Sequence, residues 1–128
     1  MNRKNILILE ADRDVSELFA RAIEVRRDCK CYLAAEEEEA FDLLRDISFV
    51  LTLVDLTLAM DGDFKLLKKF KRRFPEMVVV VNAYPHQKEH LEEALAMGAQ
   101  GHIFKPIKVD SIRKKIEEFF PTAETPIP

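Results

Sequence analysis

Polar side chains stand at the ends of four apolar runs along the sequence. They comprise three carboxylates, one amide and one ammonium: Glu10, Asp12, Asp55, Asn82 and Lys105. In an open parallel sheet the functional crevice lies at the carboxyl ends of the strands, so these side chains are expected to converge there. Each one alone is also typical of helix caps and loops. Their repetition at successive strand ends favours a shared site.

The residue types in this set are those that phosphoryl chemistry uses. Carboxylates gathered at the end of a buried strand need a nearby cation, and Lys105 and a hard metal ion are the candidates. A set of oxygen ligands without paired cysteines or convergent histidines suits Mg²⁺ rather than zinc. An aspartate beside Mg²⁺ and a lysine can act as a nucleophile toward a phosphoryl group. Asp55 is the natural acceptor.

Five apolar runs of strand length must position these side chains. Residues 6–9, 49–54 and 77–81 are continuous and rich in branched residues, which is typical of strands buried on both faces. Residues 29–34 and 101–104 are more mixed and therefore predict the two edges of the sheet. Because the strands follow one another with helices between them, they are expected to be parallel.

Apolar residues at helical spacing predict a helix after each strand. Asp12 or Asp14 can cap the first helix, while Pro75 and Gly98 end the third and the fourth. Right-handed crossovers then place helices on both faces of the sheet. The sequence predicts one α/β domain over residues 1–120, followed by a disordered tail or linker stub over residues 121–128.

Composition excludes several classes of function. The 128 residues are enough for one domain, and 20 Lys and Arg against 23 Asp and Glu give a net charge of −3. This charge argues against direct binding of nucleic acid or of an anionic membrane. The apolar runs are too short to span a bilayer, which takes about 20 residues. The run at residues 6–9 is too short for a secretory signal, so a cytoplasmic location is expected.

Short motifs at the predicted strand ends and helix starts are specific when taken together. They are residues 6–12 (ILILEAD), 53–55 (LVD), 60–62 (MDG), 82–83 (NA), 97–99 (MGA) and 104–107 (FKPI). Through these motifs the chain resembles the receiver domains of two-component response regulators, from about residue 5 to residue 120.

The resemblance implies a flavodoxin-like fold with strand order 2-1-3-4-5. It implies phosphorylation of Asp55 by a histidine kinase or a phosphotransfer protein, with Lys105 contacting the phosphoryl group and a cis Lys105–Pro106 bond. It also implies Mg²⁺ beside Glu10, Asp12 and Asp55. The signal would pass to a downstream protein target through a changed surface, and the domain would not be an enzyme.

Three positions depart from the pattern of the family. The family usually carries two adjacent acids after the first strand, where this chain has Glu10 and Ala11, so we expect Mg²⁺ to bind weakly. Asn82 stands at the switch position that normally holds Thr or Ser, and His102 replaces the usual switch aromatic. These departures leave an alternative, a pseudo-receiver that acts as a protein-interaction module without phosphorylation.

The fourth and fifth predicted helices carry opposite charges. The acidic residues of the fourth helix and the basic residues of the fifth are Glu89, Glu92, Glu93, Arg113, Lys114 and Lys115. These residues could pair across the two-fold axis of a homodimer. Exposed ion pairs are individually weak, so the pattern permits this dimer without specifying it.

Overall fold

Five parallel strands alternate with five α-helices along residues 3–122, the part of the chain that the computed structural model describes. The strands are β1 (Lys4–Leu9), β2 (Cys29–Ala34), β3 (Leu51–Asp55), β4 (Val78–Ala83) and β5 (Gly101–Phe104). The α-helices are α1 (Arg13–Glu24), α2 (Glu37–Asp46), α3 (Leu56–Arg73), α4 (Lys88–Ala96) and α5 (Val109–Phe119). A short 3₁₀ turn, Pro85–Gln87, precedes α4.

The sheet has the order β2-β1-β3-β4-β5, and every neighbouring pair is parallel. This confirms the predicted order and the prediction that the second and fifth strands form the edges. The tail predicted over residues 121–128 falls for the most part on residues 123–128, which lie outside the described residues. No helix within the described range has the length and apolarity that crossing a bilayer requires.

The sheet separates two apolar cores. Alternate side chains of the strands point to opposite faces, so Leu7 and Leu9 pack on one side while Ile6 and Ile8 pack on the other. The first face is covered by α2, α3 and α4, and the second by α1 and α5. Because the central strands are buried on both faces, a polar side chain at their ends has little access to water.

Helix α3 begins earlier than the apolar spacing predicts. That spacing indicates a helix from Phe64, yet α3 starts at Leu56, directly after the last residue of β3. Its first turn is joined to the rest by Gly62, Asp63 and Phe64, which have φ angles of 60°, 59° and 62°. A left-handed conformation costs about 1–2 kcal/mol for a residue with a Cβ. Phe64 is buried, and the burial of its ring offsets part of that cost.

Asp63→Gly is expected to stabilise the protein by about 0.5–1 kcal/mol. Glycine adopts positive φ without strain, and this relief exceeds the entropy lost on ordering a glycine. The side chain removed is exposed and makes only a 3.5 Å ion pair with Lys68. Urea unfolding measures the change. The matched control is Asp61→Gly, where φ is −58° and glycine should destabilise; a loss of stability in both variants contradicts the prediction.

Candidate functional site

Three neighbouring strands bring polar side chains to one end of the sheet. Asp55 is the last residue of β3, Glu10 follows β1, and Asn82 lies in β4 directly opposite Asp55 in the parallel register. All three are buried, with exposed fractions of 3% for Glu10, 8% for Asp55 and 0% for Asn82. Since paired backbone strands hold them, their mutual positions are fixed by the sheet itself.

Lys105 supplies the positive charge between the two carboxylates. It follows β5, and its backbone N–H donates to the Ala83 carbonyl at 2.8 Å. Its Nζ lies 3.2 Å from Asp55 Oδ1 and 3.1 Å from Glu10 Oε1. Burial lowers the pKa of Lys105, but the contacts with Glu10 and Asp55 outweigh it and raise that pKa overall. The ammonium is therefore held in its charged form, and the Lys105–Pro106 bond is cis.

Asp12 takes a different place from the other acids. Its Oδ1 accepts hydrogen bonds from the backbone N–H groups of Asp14 and Val15 at 3.0 and 3.3 Å, so its carboxylate caps α1. Its own N–H donates to Glu10 Oε2 at 3.0 Å. The structure thus brings together Glu10, Asp55, Asn82 and Lys105, while the Asp12 side chain stays exposed at the rim.

The donors at this site have the chemistry that a hard cation requires. Glu10 and Asp55 offer buried carboxylate oxygens, which are ligands of the kind that Mg²⁺ takes. Within residues 3–122, however, no group of three or more His, Cys, Asp or Glu side chains is arranged to hold a metal ion. Lys105 already contacts both carboxylates, so a divalent cation has to compete with it. The residues fit Mg²⁺ in type, while the Lys105 ammonium contacts both carboxylates.

The side-chain amide of Asn82 is buried without a partner. Neither Nδ2 nor Oδ1 has a hydrogen-bond partner among the described residues. An unpaired buried polar group costs about 1–3 kcal/mol. The Nδ2 group can donate to an oxyanion that appears next to Asp55, whereas an unmodified Asp55 leaves it unused.

His102 is not part of this group. It lies in β5 opposite Val81, and its neighbour Ile103 is opposite Asn82, so His102 and Asn82 point to opposite faces of the sheet. Its ring packs edge-on against Phe104 at 4.8 Å between centroids. Burial and the charge of Lys115 lower the pKa of His102. His102 therefore lies at the β5 edge on the face of Val81, with Lys115 of α5 close enough for its charge to act on the ring.

Three residues near the site were missed by sequence reasoning. Lys105 Nζ lies 5.2 Å from the centroid of the Tyr84 ring. The Tyr84 N–H donates to Gln87 Oε1 at 2.9 Å, and Gln87 Nε2 donates to Thr57 Oγ1 at 3.1 Å. The only signal for this arrangement is Pro85, which marks a tight turn after β4. Nothing in the sequence links that turn to Thr57.

Comparison with known sequences identifies similar proteins over most of the chain. The family model described as Response regulator receiver domain matches residues 6–117. Transcriptional regulatory protein CitT of Bacillus subtilis (strain 168) is 27% identical over 116 residues, which cover 90% of this chain and 51% of CitT. Transcriptional regulatory protein ZraR of Escherichia coli (strain K12) is 30% identical over 120 residues, which cover 92% of this chain and 27% of ZraR. The chain thus spans about half the length of CitT and less of ZraR.

Solved structures share the fold. A response regulator from Thermotoga maritima superimposes with a TM-score of 0.84 at 21% identity and covers 94% of this chain and 99% of that one. The receiver domain of NtrX from Brucella abortus gives a TM-score of 0.81 at 24% identity and covers 92% of this chain and 99% of that one. At these identities the likeness concerns the fold.

Proposed function

Because the chain belongs to the response regulator receiver domain family, we propose that it accepts a phosphoryl group on Asp55 in a cytoplasmic two-component phosphorelay. The observation that carries the proposal is the Lys105 ammonium, which lies 3.2 Å from Asp55 Oδ1 in a buried site. Residues 1–120 are the receiver domain in this proposal. The phosphoryl donor is a histidine kinase or a phosphotransfer protein.

The transfer uses Asp55 as the nucleophile. A carboxylate oxygen attacks the phosphorus of a phosphohistidine, an O–P bond forms and the P–N bond breaks. The electron pair of that bond stays on the imidazole, which takes up a proton. Lys105 neutralises charge on the phosphoryl oxygens, and the Asn82 amide donates a hydrogen bond to one of them. Transfer of this kind depends on alignment and charge balance, which these buried side chains supply.

Magnesium would bind beside the same carboxylates. Glu10, Asp12 and Asp55 are the residues that would hold it, and when bound it supplies further charge neutralisation at the phosphoryl group. Asp12 already caps α1 and Lys105 already contacts Glu10 and Asp55. We therefore expect the affinity for Mg²⁺ to be weak.

The signal would leave through protein contacts on the outer face near β5. His102 packs edge-on against Phe104 there, and Phe104 is 42% exposed, which suits contact with a downstream protein target. The exposed basic residues Arg113 and Lys114 of α5 and the acidic residues of α4 could join two copies in a homodimer. Direct contact with nucleic acid or a membrane is not part of the proposal, since the net charge is −3.

One observation favours a second function, that of a pseudo-receiver. Lys105 contacts both buried carboxylates, so the charges of the site are partly balanced without a metal ion or a phosphoryl group. A domain of this kind would bind its partners in the unmodified state and would serve as a constitutive interaction module.

Intact-mass spectrometry distinguishes the two functions. The protein is incubated with acetyl phosphate or phosphoramidate, with and without Mg²⁺, beside the Asp55→Asn variant. The receiver function predicts a single phosphoryl adduct that depends on Mg²⁺ and is absent from the variant. A panel of histidine kinases supplied with ATP, which forms their phosphohistidine, provides protein donors for the same test. An adduct of equal yield in Asp55→Asn, or none with any donor, contradicts phosphorylation of Asp55 and favours the pseudo-receiver.

A further inference from the structure

A closed circuit of contacts borders the pocket of Asp55 on the side of β4. Asp55 Oδ1 contacts Lys105 Nζ, and that ammonium lies against the ring of Tyr84. The Tyr84 N–H is bonded to Gln87 Oε1, and Gln87 Nε2 is bonded to Thr57 Oγ1. Thr57 is two residues from Asp55, in the first turn of α3. The circuit therefore returns to its starting point through the backbone.

Gln87 is the residue that closes this circuit. Its backbone N–H donates to the Tyr84 carbonyl at 2.9 Å while its side chain accepts from the Tyr84 N–H, so it fixes both ends of the turn after β4. Its remaining donor, Nε2, reaches across to Thr57 Oγ1, 30 positions earlier in the chain. This is the one hydrogen bond of the circuit that ties the turn after β4 to the start of α3.

We propose that the Thr57–Gln87 hydrogen bond is a latch that restricts access of small molecules and protein donors to Asp55. With the bond made, the turn that carries Tyr84 is held beside Lys105, and the Asp55 side chain is only 12% exposed. When the bond is broken, the turn, with Tyr84 stacked on His86, is free to move away from Lys105, and the carboxylate becomes reachable. The consequence for phosphorylation rests on the proposed function, but the latch itself is a property of the unmodified protein.

The access of a small reagent to residue 55 can be measured without any phosphorylation. In an Asp55→Cys background, the rate at which a methanethiosulfonate reagent labels residue 55 is followed by peptide mass mapping. Adding Gln87→Ala or Thr57→Val is expected to raise this rate roughly threefold to tenfold, the effect of losing one ordinary hydrogen bond. Labelling of Cys29, which is buried elsewhere in the fold, is the internal control and should not change.

Non-additivity and rescue separate a latch from a general loosening of the fold. The double variant Gln87→Ala/Thr57→Val should label no faster than either single variant, because both remove the same bond. Thr57→Ser keeps the hydroxyl and should label at the parent rate. An unchanged rate in the single variants, or effects that multiply in the double variant, overturns the proposal.

The same substitutions in the chain with Asp55 intact test the link to phosphorylation. The acetyl phosphate adduct is expected to form roughly threefold to tenfold faster in Gln87→Ala than in the parent protein. If no adduct forms in the parent protein while thiol labelling responds as described, the proposed function fails and the latch stands. If the adduct forms but neither rate responds, the latch fails and the proposed function stands.

Discussion

Lys105→Met is expected to lower the free energy of unfolding by about 3–5 kcal/mol. The substitution removes the ammonium that two buried carboxylates share and leaves Glu10 and Asp55 facing each other without a cation. Breaking a buried ion pair by removing one partner leaves an uncompensated buried charge, which is strongly destabilising. Methionine has a similar length and fills the same space, so the effect reports charge rather than a cavity. Urea unfolding at neutral pH measures it.

Two further variants show that the loss comes from the buried charges. Glu10→Gln combined with Lys105→Met removes one carboxylate as well and should recover part of the stability. Lys68→Met removes an ammonium from an exposed pair with Asp63 and should change stability by less than about 0.5 kcal/mol. Equal losses of stability in Lys105→Met and Lys68→Met would show that the buried contacts of Lys105 stabilise the protein no more than an exposed ion pair does.

The pH dependence of stability should also show the contribution of the Lys105 charge. The pKa of Lys105 is raised in the folded protein above the ordinary lysine value of 10.5. A raised lysine pKa means that its contribution is fully present below 10.5 and is lost as the pH rises through the folded value. The parent protein should therefore lose stability in strongly alkaline solution more steeply than Lys105→Met does. Denaturant titrations between pH 9 and 11.5, roughly the range set by the ordinary lysine pKa, compare the two.

Asn82→Leu is expected to raise stability by about 1–3 kcal/mol and to slow phosphorylation of Asp55 at least about tenfold. Leucine has the same number of side-chain heavy atoms as asparagine, branched at the same position, and it removes two buried polar atoms that have no partner among the described residues, which relieves their desolvation cost. The slowing follows because a buried donor aimed at the developing phosphoryl charge is lost. Thermal unfolding gives the first effect, and the rate of adduct formation with acetyl phosphate gives the second.

Thr52→Val is the matched control for Asn82→Leu. Its hydroxyl is also buried without a partner among the described residues, but Thr52 is the second residue of β3 and points to the other face of the sheet from Asp55. This variant should gain stability while the adduct forms at the parent rate. A slower adduct in Thr52→Val, or an unchanged rate in Asn82→Leu, would rule out a role for the Asn82 amide at the phosphoryl group.

The strands and the convergence of the polar residues at their ends could be predicted because their signals are local. Runs such as residues 77–81 are apolar at every position. The polar residue that follows each run marks the carboxyl end of a strand. The structure places β4 over Val78–Ala83, one to two residues later than that run. The difference arises because Asn82 is polar and yet stays paired in the sheet.

Other features depend on tertiary contacts that no local pattern records. The sequence offers Asp12 both as a helix cap and as a metal ligand, and only the fold shows its carboxylate bonded to the start of α1. The first turn of α3 escapes prediction because the left-handed link at Gly62 and Asp63 shifts the helical phase. The bond between Thr57 and Gln87 joins two polar residues of ordinary type, so neither residue signals it alone.

The order of the strands also sets when the site can exist during synthesis and folding. Lys105 and Asp55 are 50 positions apart in the chain. The neighbouring strands β1, β3 and β4 are connected by long crossover segments. Parallel pairing of this kind is non-local and forms slowly in folding. A chain that has not yet placed β5 lacks the ammonium and leaves the carboxylates of Glu10 and Asp55 without that cation. Partly made or partly unfolded copies therefore lack the placement of Lys105 beside Asp55 on which the proposed phosphorylation depends.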